Sequence, residues 1–274
     1  MSTDEQDGIE ALLDDAENAV HDGAPEEAIE ICDRVHRLAP NHPGAWFVRG
    51  DALRTLGMIA DASECYRAAA LARPDHASSW ASHALTALEL LSVEDAERSA
   101  FRAIREEPRS PEGWWVLGLI REWGSDDAGA QRAFLHARWL DPRGYPLPPK
   151  LSDDDVEDIV ADCLRSLHPD IRDYLQNVAI LLEEVPTEEV LRGYEPPASP
   201  LDMLGYFSGT SLMDRSSEDP WSNLPPTIVL YRRNLQRAAQ SRAELVEQLS
   251  ITVFHEIGHF LGLSEEDLER RGLD

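Results

Sequence analysis

Basic residues are scarce in this chain: 25 lysines and arginines stand against 52 aspartates and glutamates, a formal net charge of −27 over 274 residues. Such a field repels phosphate, which excludes nucleic acid as a partner and disfavours anionic membranes. The acid is shared, with 27 acids to 15 bases over residues 1–150 and 25 to 10 over 151–274, so it reads as solvated helix faces. Long apolar runs are missing too; nothing approaches the ~20 residues that span a bilayer. The start, MSTDEQDGIEALLDD, is acidic and polar where a secretory signal has a basic start and an apolar centre. Cysteine is rare. Cys32, Cys65 and Cys163 are scattered, odd in number and without metal-knuckle spacing, as expected of small core residues in a reducing compartment. These absences point to a cytoplasmic protein with neither membrane nor nucleic acid among its partners.

What is present begins with a ruler of 34 residues. Prolines fall at 40, 74, 108 and 142, and tryptophans at 46, 80 and 114. Small residues follow each tryptophan by four (Gly50, Ala84, Gly118). Two alanine series keep the same step, Ala62, Ala96, Ala130 and Ala69, Ala103, Ala137. Tyr66 and Phe134 hold matching places, with Ala100 breaking that series. The pattern suits paired antiparallel helices, in which a bulky anchor on the first helix packs over a small residue on the second and a proline ends each pair. Breaks inside the pairs are expected around Gly57 and Gly124. "RSPEGWW" starts a helix, with Ser110 as cap and Pro111 at its first position.

This period and the Trp/Gly/Tyr/Ala/Phe/Ala/Pro spacing resemble a tetratricopeptide-repeat array. The matching units are 43–76, 77–110 and 111–144. A weaker unit at 9–42 keeps Leu12, Ala16, Ala28 and Pro40 but lacks the tryptophan, as a capping end repeat can. The resemblance implies a scaffold for a protein or peptide partner, which the fold alone does not name. One subtype of the family grips acidic C-termini through lysines and asparagines. Here the equivalent places hold Phe47, Asp51, Ala81, Leu85, Trp115 and Leu119, so that partner class is not expected.

Four prolines, a glycine and an acidic cluster in "DPRGYPLPPKLSDDD" (141–155) mark a hinge. The expected division is a repeat domain over 9–144, a linker over 145–154 and a second domain over 155–274. In the latter, "SDDDVEDIVADCLRSL" reads as a helix with an acidic first turn. "NVAILLEEV" (177–185) reads as a buried strand, "TIVLYRR" (227–233) as a second and "DMLGYFSG" (202–209) as a shorter third. A last helix is expected from Ser241, capped with Glu244, through Leu261, with Gly262 supplying the turn. The fold class is therefore an α-helical repeat array followed by a small α+β domain.

The chemistry concentrates in "VFHEIGHFLGLSEED", residues 253–267. His255 and His259, four apart on a helix, project from one face and can reach one metal ion. Glu256 stands where a metallopeptidase keeps the carboxylate that takes a proton from an activated water. Three residues after Gly262 comes Glu265, giving H-E-x-x-H-x-x-G-x-x-E. A chain turning at the glycine can return Glu265 as a third ligand. Two neutral imidazoles, one carboxylate and an open fourth place describe a catalytic zinc site. Thr252, on the same face, is small and can bond back to helix carbonyls. Gly258 is expected to let a strand or a substrate backbone come close.

Residues 155–274 resemble the bacterial minimal-zincin family of zinc-dependent metallopeptidases, through "LGYFSG", "LPPTIVLYRRNL" and "VFHEIGHFLGLSEEDL" in that order. The resemblance implies a hydrolase of peptide bonds with zinc as cofactor, His255 and His259 as ligands and Glu256 as general base. The family's third ligand is usually an aspartate. Here that place holds Glu265, a methylene longer, with Asp267 as a possible substitute. The alternative is a repeat-based adaptor whose zincin module is inactive or holds metal structurally.

Arg232, Arg233, Arg237 and Arg242 are expected to pair with neighbours such as Glu244 and Glu247, the other reading being recognition of a substrate carboxylate. The remaining seven histidines read as packing or surface residues. Residues 213–226 read as an acidic surface loop that could cover a cleft. Substrate and oligomeric state are not legible.

Overall fold

The computed structural model describes residues 3–211 and 226–272. The chain divides into two compact units, residues 1–147 and 148–274. The loop expected over 213–226 lies, but for Pro226, outside the described residues. Among those described, no helix is long and apolar enough to cross a membrane.

The first unit is four antiparallel helix pairs: α1 (Thr3–His21) with α2 (Pro25–Leu38), α3 (Pro43–Thr55) with α4 (Ile59–Ala72), α5 (Ala77–Glu89) with α6 (Val93–Glu106), and α7 (Pro111–Trp123) with α8 (Asp127–Leu140). Proline ends each pair by a mechanism visible four times. The residue before a proline is pushed out of helical torsions, and Ala39, Arg73, Glu107 and Asp141 all leave the helix at φ between −140 and −133 with ψ of 82 to 94. The tryptophans share the prolines' period because they are tied to them. The indoles of Trp80 and Trp114 donate to the carbonyls of Pro74 (2.9 Å) and Pro108 (3.0 Å).

Two expectations are corrected. The close approach runs the other way: rings of the second helix sit over small residues of the first. A Cβ on Gly50 would meet the Tyr66 ring at 2.7 Å, and one on Gly118 would meet Phe134 at 2.4 Å. In the middle pair Ala84 and Ala100 are both fully buried, so small meets small where the ring series breaks. The tight turns also keep the 34-residue step, at Gly23, Gly57, Leu91 and Ser125, all left-handed with φ from 59 to 76. The breaks expected around Gly57 and Gly124 are present, with Ser125 as the left-handed residue of the last pair. Finally, Ser110 occupies the cap position of α7, but its hydroxyl bonds the Glu112 carboxylate and not the helix backbone.

The second unit opens with α9 (Asp153–Ser166), whose Ser152 cap and Asp155 form a reciprocal capping box. After α10 (Pro169–Leu175) come β1 (Ala179–Glu183), α11 (Glu188–Leu191), β2 (Gly205–Ser208), β3 (Thr227–Tyr231), α12 (Arg232–Arg237), α13 (Arg242–Leu261) and α14 (Glu265–Glu269). The sheet order is β1-β3-β2, with β1 parallel and β2 antiparallel to β3. The expected strands exist, but "NVAILLEEV" is not buried. It is an edge strand, alternately exposed, and Leu181 is 47% accessible. The buried strand is the central β3, which ends at Tyr231 where α12 begins. Ile228 and Leu230 join Leu245, Leu249, Val253, Ile257 and Phe260 of α13 in one core, which fixes α13 across the sheet.

Candidate metal centre

α13 starts as its sequence suggests. Ser241 accepts from the Glu244 N–H, while the Glu244 carboxylate accepts from the Gln240 N–H at 2.8 Å. Its far end stops at Gly262, left-handed at φ 93, and the Leu263 N–H returns to the Gly258 carbonyl at 2.9 Å. A side chain at that torsion is strained, so glycine suits the stop. The turn delivers Ser264, which caps α14 in a second capping box with Asp267 and thereby sets Glu265 as the first residue of α14.

Gly258 serves this turn, and not a strand or substrate as expected. A Cβ there would lie 2.4 Å from Leu268, a fully buried residue of α14. The missing side chain lets Leu268 seat α14 against α13. The strand that does come close does so through its own glycine: a Cβ on Gly205 of β2 would meet the Val229 carbonyl at 2.8 Å, Thr252 at 3.1 Å and Glu256 at 3.4 Å.

His255, His259 and Glu265 are thereby brought together. The two Nε2 atoms are 3.0 Å apart, and Glu265 oxygens lie 3.5 Å from His255 Nε2 and 3.2 Å from His259 Nε2. Donors ~2.1 Å from one tetrahedral ion sit about 3.4 Å from each other. The three separations bracket that value, so the donor set fits zinc in both chemistry and spacing. His259 Nδ1 is 3.3 Å from the Leu263 carbonyl. Donation there leaves Nε2 as the lone-pair nitrogen turned to the cluster, the outer-shell arrangement that orients metal-binding imidazoles. It is the only such group of three among the described residues.

Asp267, the possible substitute, is occupied elsewhere. Its carboxylate accepts from Ser264 and pairs with Arg270 at 3.2 Å, and the hydrogen bonds from Ser264 hold it below the usual carboxylate range. Glu256 is 5% accessible and faces β2. Burial, reinforced by the Glu265 carboxylate, pushes its pKa up to about 8, against the pull of a hydrogen bond from the Phe207 backbone. Its Oε2 has no hydrogen-bond partner. A cleft of about 190 Å³ runs beside His255 and Glu256, lined by Leu204, Gly205, Gln248, Ile251 and Thr252. The Thr252 hydroxyl bonds back to the Gln248 carbonyl at 2.9 Å.

Sequence reasoning missed Gly205 and Tyr194. The phenol of Tyr194 is shifted upward by burial and by the Glu256 and Glu265 carboxylates, which places it in their field. No spacing signals a loop residue so distant in the chain. Arg237 donates to Asn234, and the other three arginines pair with acids other than Glu244 and Glu247. Arg232 meets Asp153 and Glu184, Arg233 meets Glu184 at 2.7 Å, and Arg242 meets Asp155 at 2.6 Å. They tie α9 and the end of β1 to α12 and α13.

Comparison with known families agrees with both halves of this description. Residues 175–273 match the zincin-like metallopeptidase family, and residues 19–88 match a tetratricopeptide repeat. The chain joins tetratricopeptide repeats to a zincin-like domain. The first is a fold associated with protein–protein interaction, the second with metallopeptidases and metal binding. Solved structures similar to the chain include MamA (18% identity, TM-score 0.45, 50% of this chain and 80% of that one). A thermophilic TPR protein of Thermus thermophilus, TTC0263, matches at 17% identity and TM-score 0.45 over 49% of this chain and 75% of that one. MamA residues 41-end from Desulfovibrio magneticus RS-1 match at 17% and 0.43, over 61% and 88%. No curated protein matches the chain.

Proposed function

We propose that the zincin-like domain is a zinc-dependent peptidase to which the repeats bring a protein or peptide, in the cytoplasm. The observation that carries this reading is the cluster of His255, His259 and Glu265 with the buried, unpartnered oxygen of Glu256 beside it. We take residues 9–144 as the recruiting domain, 145–154 as linker and 155–274 as the peptidase.

His255 Nε2, His259 Nε2 and a Glu265 oxygen would hold zinc, which when bound supplies a Lewis acid that acidifies water and polarises a carbonyl. Glu256 takes the proton of the water that attacks the scissile carbonyl carbon. It then passes that proton to the departing amine nitrogen, so one amide becomes a carboxylic acid and an amine. Burial suits the carboxylate to this exchange by raising its proton affinity, and a cation nearby lowers it again. β2 is an edge strand of the described sheet and lines the cleft through Gly205, so an extended substrate can lie along it.

The test is zinc stoichiometry together with digestion of an unbiased peptide library. One zinc per chain and cleavage that vanishes in Glu256→Ala with zinc retained are expected. A well-folded protein that binds no zinc at micromolar concentration removes the enzyme. Zinc binding without Glu256-dependent cleavage leaves the adaptor with a structural metal.

A further inference from the structure

The face of α13 that carries the two histidines continues toward the start of the helix. Gln248, Ile251 and Thr252 line the cleft with His255 and Glu256, at a spacing that puts them on one helical stripe. Gln248 stands two turns before His255, about 10 Å along the axis. Leu204 and Gly205, at the start of β2, form the opposite wall.

These walls are apolar. Ile251, one turn before His255, is half-buried yet is not among the residues of the core that fixes α13 across the sheet. Thr252 has its hydroxyl on the Gln248 carbonyl and turns its methyl to β2, 3.1 Å from where a Cβ on Gly205 would lie. Among the described residues, His255 and Glu256 are the only titratable side chains in the lining. That is notable in a segment, 151–274, with 25 acids and 10 bases. The volume of about 190 Å³ falls below the ~300–1,000 Å³ that encloses a drug-sized ligand, and suits a single side chain.

We infer that this cleft selects one aliphatic side chain of the substrate, next to the scissile bond, and that Ile251 sets the size it accepts. The strand register supplies the direction. The Tyr231 N–H donates to the Leu204 carbonyl at 2.8 Å, so in this antiparallel ladder the next residue, Gly205, turns its N–H and C=O away from β3. An extended chain that pairs with Gly205 places the side chain opposite it on the same face, toward α13. A leucine, isoleucine or methionine gains apolar burial there. A carboxylate would lose its water and meet Glu256, and a cation would pair with Glu256 and occupy the carboxylate that the reaction needs. The inference rests on the peptidase reading and deepens it by naming the class of residue selected.

Two measurements on the full chain keep the inference and the peptidase reading apart. In the first, the zinc-loaded protein digests the unbiased peptide library and the cleavage sites are read by mass spectrometry. Leucine, isoleucine and methionine should be enriched about tenfold or more over aspartate, glutamate, lysine and arginine at one position flanking the cut. Ile251→Ala enlarges the cleft and should move that preference about tenfold toward phenylalanine, with folding checked by circular dichroism. Ile251→Val, a change too small to threaten folding, should move it the same way by less.

The second needs neither zinc nor hydrolysis. 4-Methylpentanamide is titrated into the metal-free protein while isoleucine methyl signals are followed by NMR, the Ile251 signal being assigned by its loss in Ile251→Val. That signal should move at millimolar amide, and at least about tenfold less with succinamate or 4-aminobutanamide. Cleavage with a charged preference, or with one that ignores Ile251→Ala, overturns the inference and leaves the peptidase. Selective binding of the amide without any cleavage supports the cleft and removes the peptidase. An Ile251 signal unmoved at ~50 mM amide, together with no cleavage, overturns both.

Discussion

The two units treat a buried phenol and a carboxylate differently. In the repeats the two are closed on each other: the Tyr66 hydroxyl donates to Asp51 at 2.7 Å. The same unit ties the Trp80 and Trp114 indoles to proline carbonyls and His83 to Ser99. In the zincin-like domain the buried Glu256 keeps an oxygen without a partner, as does the Tyr231 hydroxyl. Leaving a buried carboxylate oxygen unpaired costs folding free energy. The repeats leave ring nitrogens of His36 and His42 buried without a partner too, so what marks Glu256 is its place beside His255, His259 and Glu265. The glycines divide the same way: Gly118 admits a ring into a helix pair, whereas Gly258 admits the residue that seats α14 and its Glu265.

The glycine contrast can be broken first, and with the largest expected effect. Gly118→Ala drives a methyl into the Phe134 ring, three atoms of which lie within 2.9 Å of the added Cβ. It should cost about 1–3 kcal/mol of stability in denaturant titration without changing zinc affinity. Gly258→Ala meets the buried Leu268 at 2.4 Å, but α14 is short and can give way, so stability should fall less. The displaced α14 should instead weaken zinc binding several-fold.

The pH responses should oppose one another. Glu256 has its pKa raised from 4.5 to about 8, so the metal-free protein holds that proton longer when folded and loses stability as pH rises through this window. Glu256→Gln should abolish the loss and gain about 1–2 kcal/mol near pH 8. Burial lowers the pKa of His83 from 6.5, so the folded repeats resist its protonation and lose stability as pH falls below 6.5. His83→Gln should flatten that limb. Melting curves of wild type and both variants across pH 4.5 to 8.5, without metal, decide the matter.

A third comparison lies within one short helix. Glu265→Ala should weaken zinc binding roughly tenfold or more, whereas Asp267→Ala should loosen the cap of α14 and change zinc affinity less. The reverse ranking, measured by competition with a chelator dye, moves the third ligand to Asp267. The smallest effect belongs to the turns. Ser125→Gly relieves a left-handed torsion and should stabilise by about 1 kcal/mol. Leu91→Gly, at the equivalent turn, gives up a buried side chain and should gain nothing.

What could be read from the residues alone is what repeats or sits close along the chain. The 34-residue step named the helix pairs because proline and tryptophan act within a few residues of themselves. The i, i+4 histidines and the glycine stop bring His255, His259 and Glu265 together because His255 to Glu265 is one local turn. Strand existence was legible too, from β-branched and aromatic runs. Which strand is buried was not, since apolar content says nothing of sheet order, and "NVAILLEEV" fell at an edge while β3 took the centre. Only the tertiary structure decided that Glu256 is buried beneath β2, that Gly205 lets the strand approach, and that Tyr194 lies in the field of the site. Each of these depends on contacts between elements distant in sequence, whose packing no local pattern encodes.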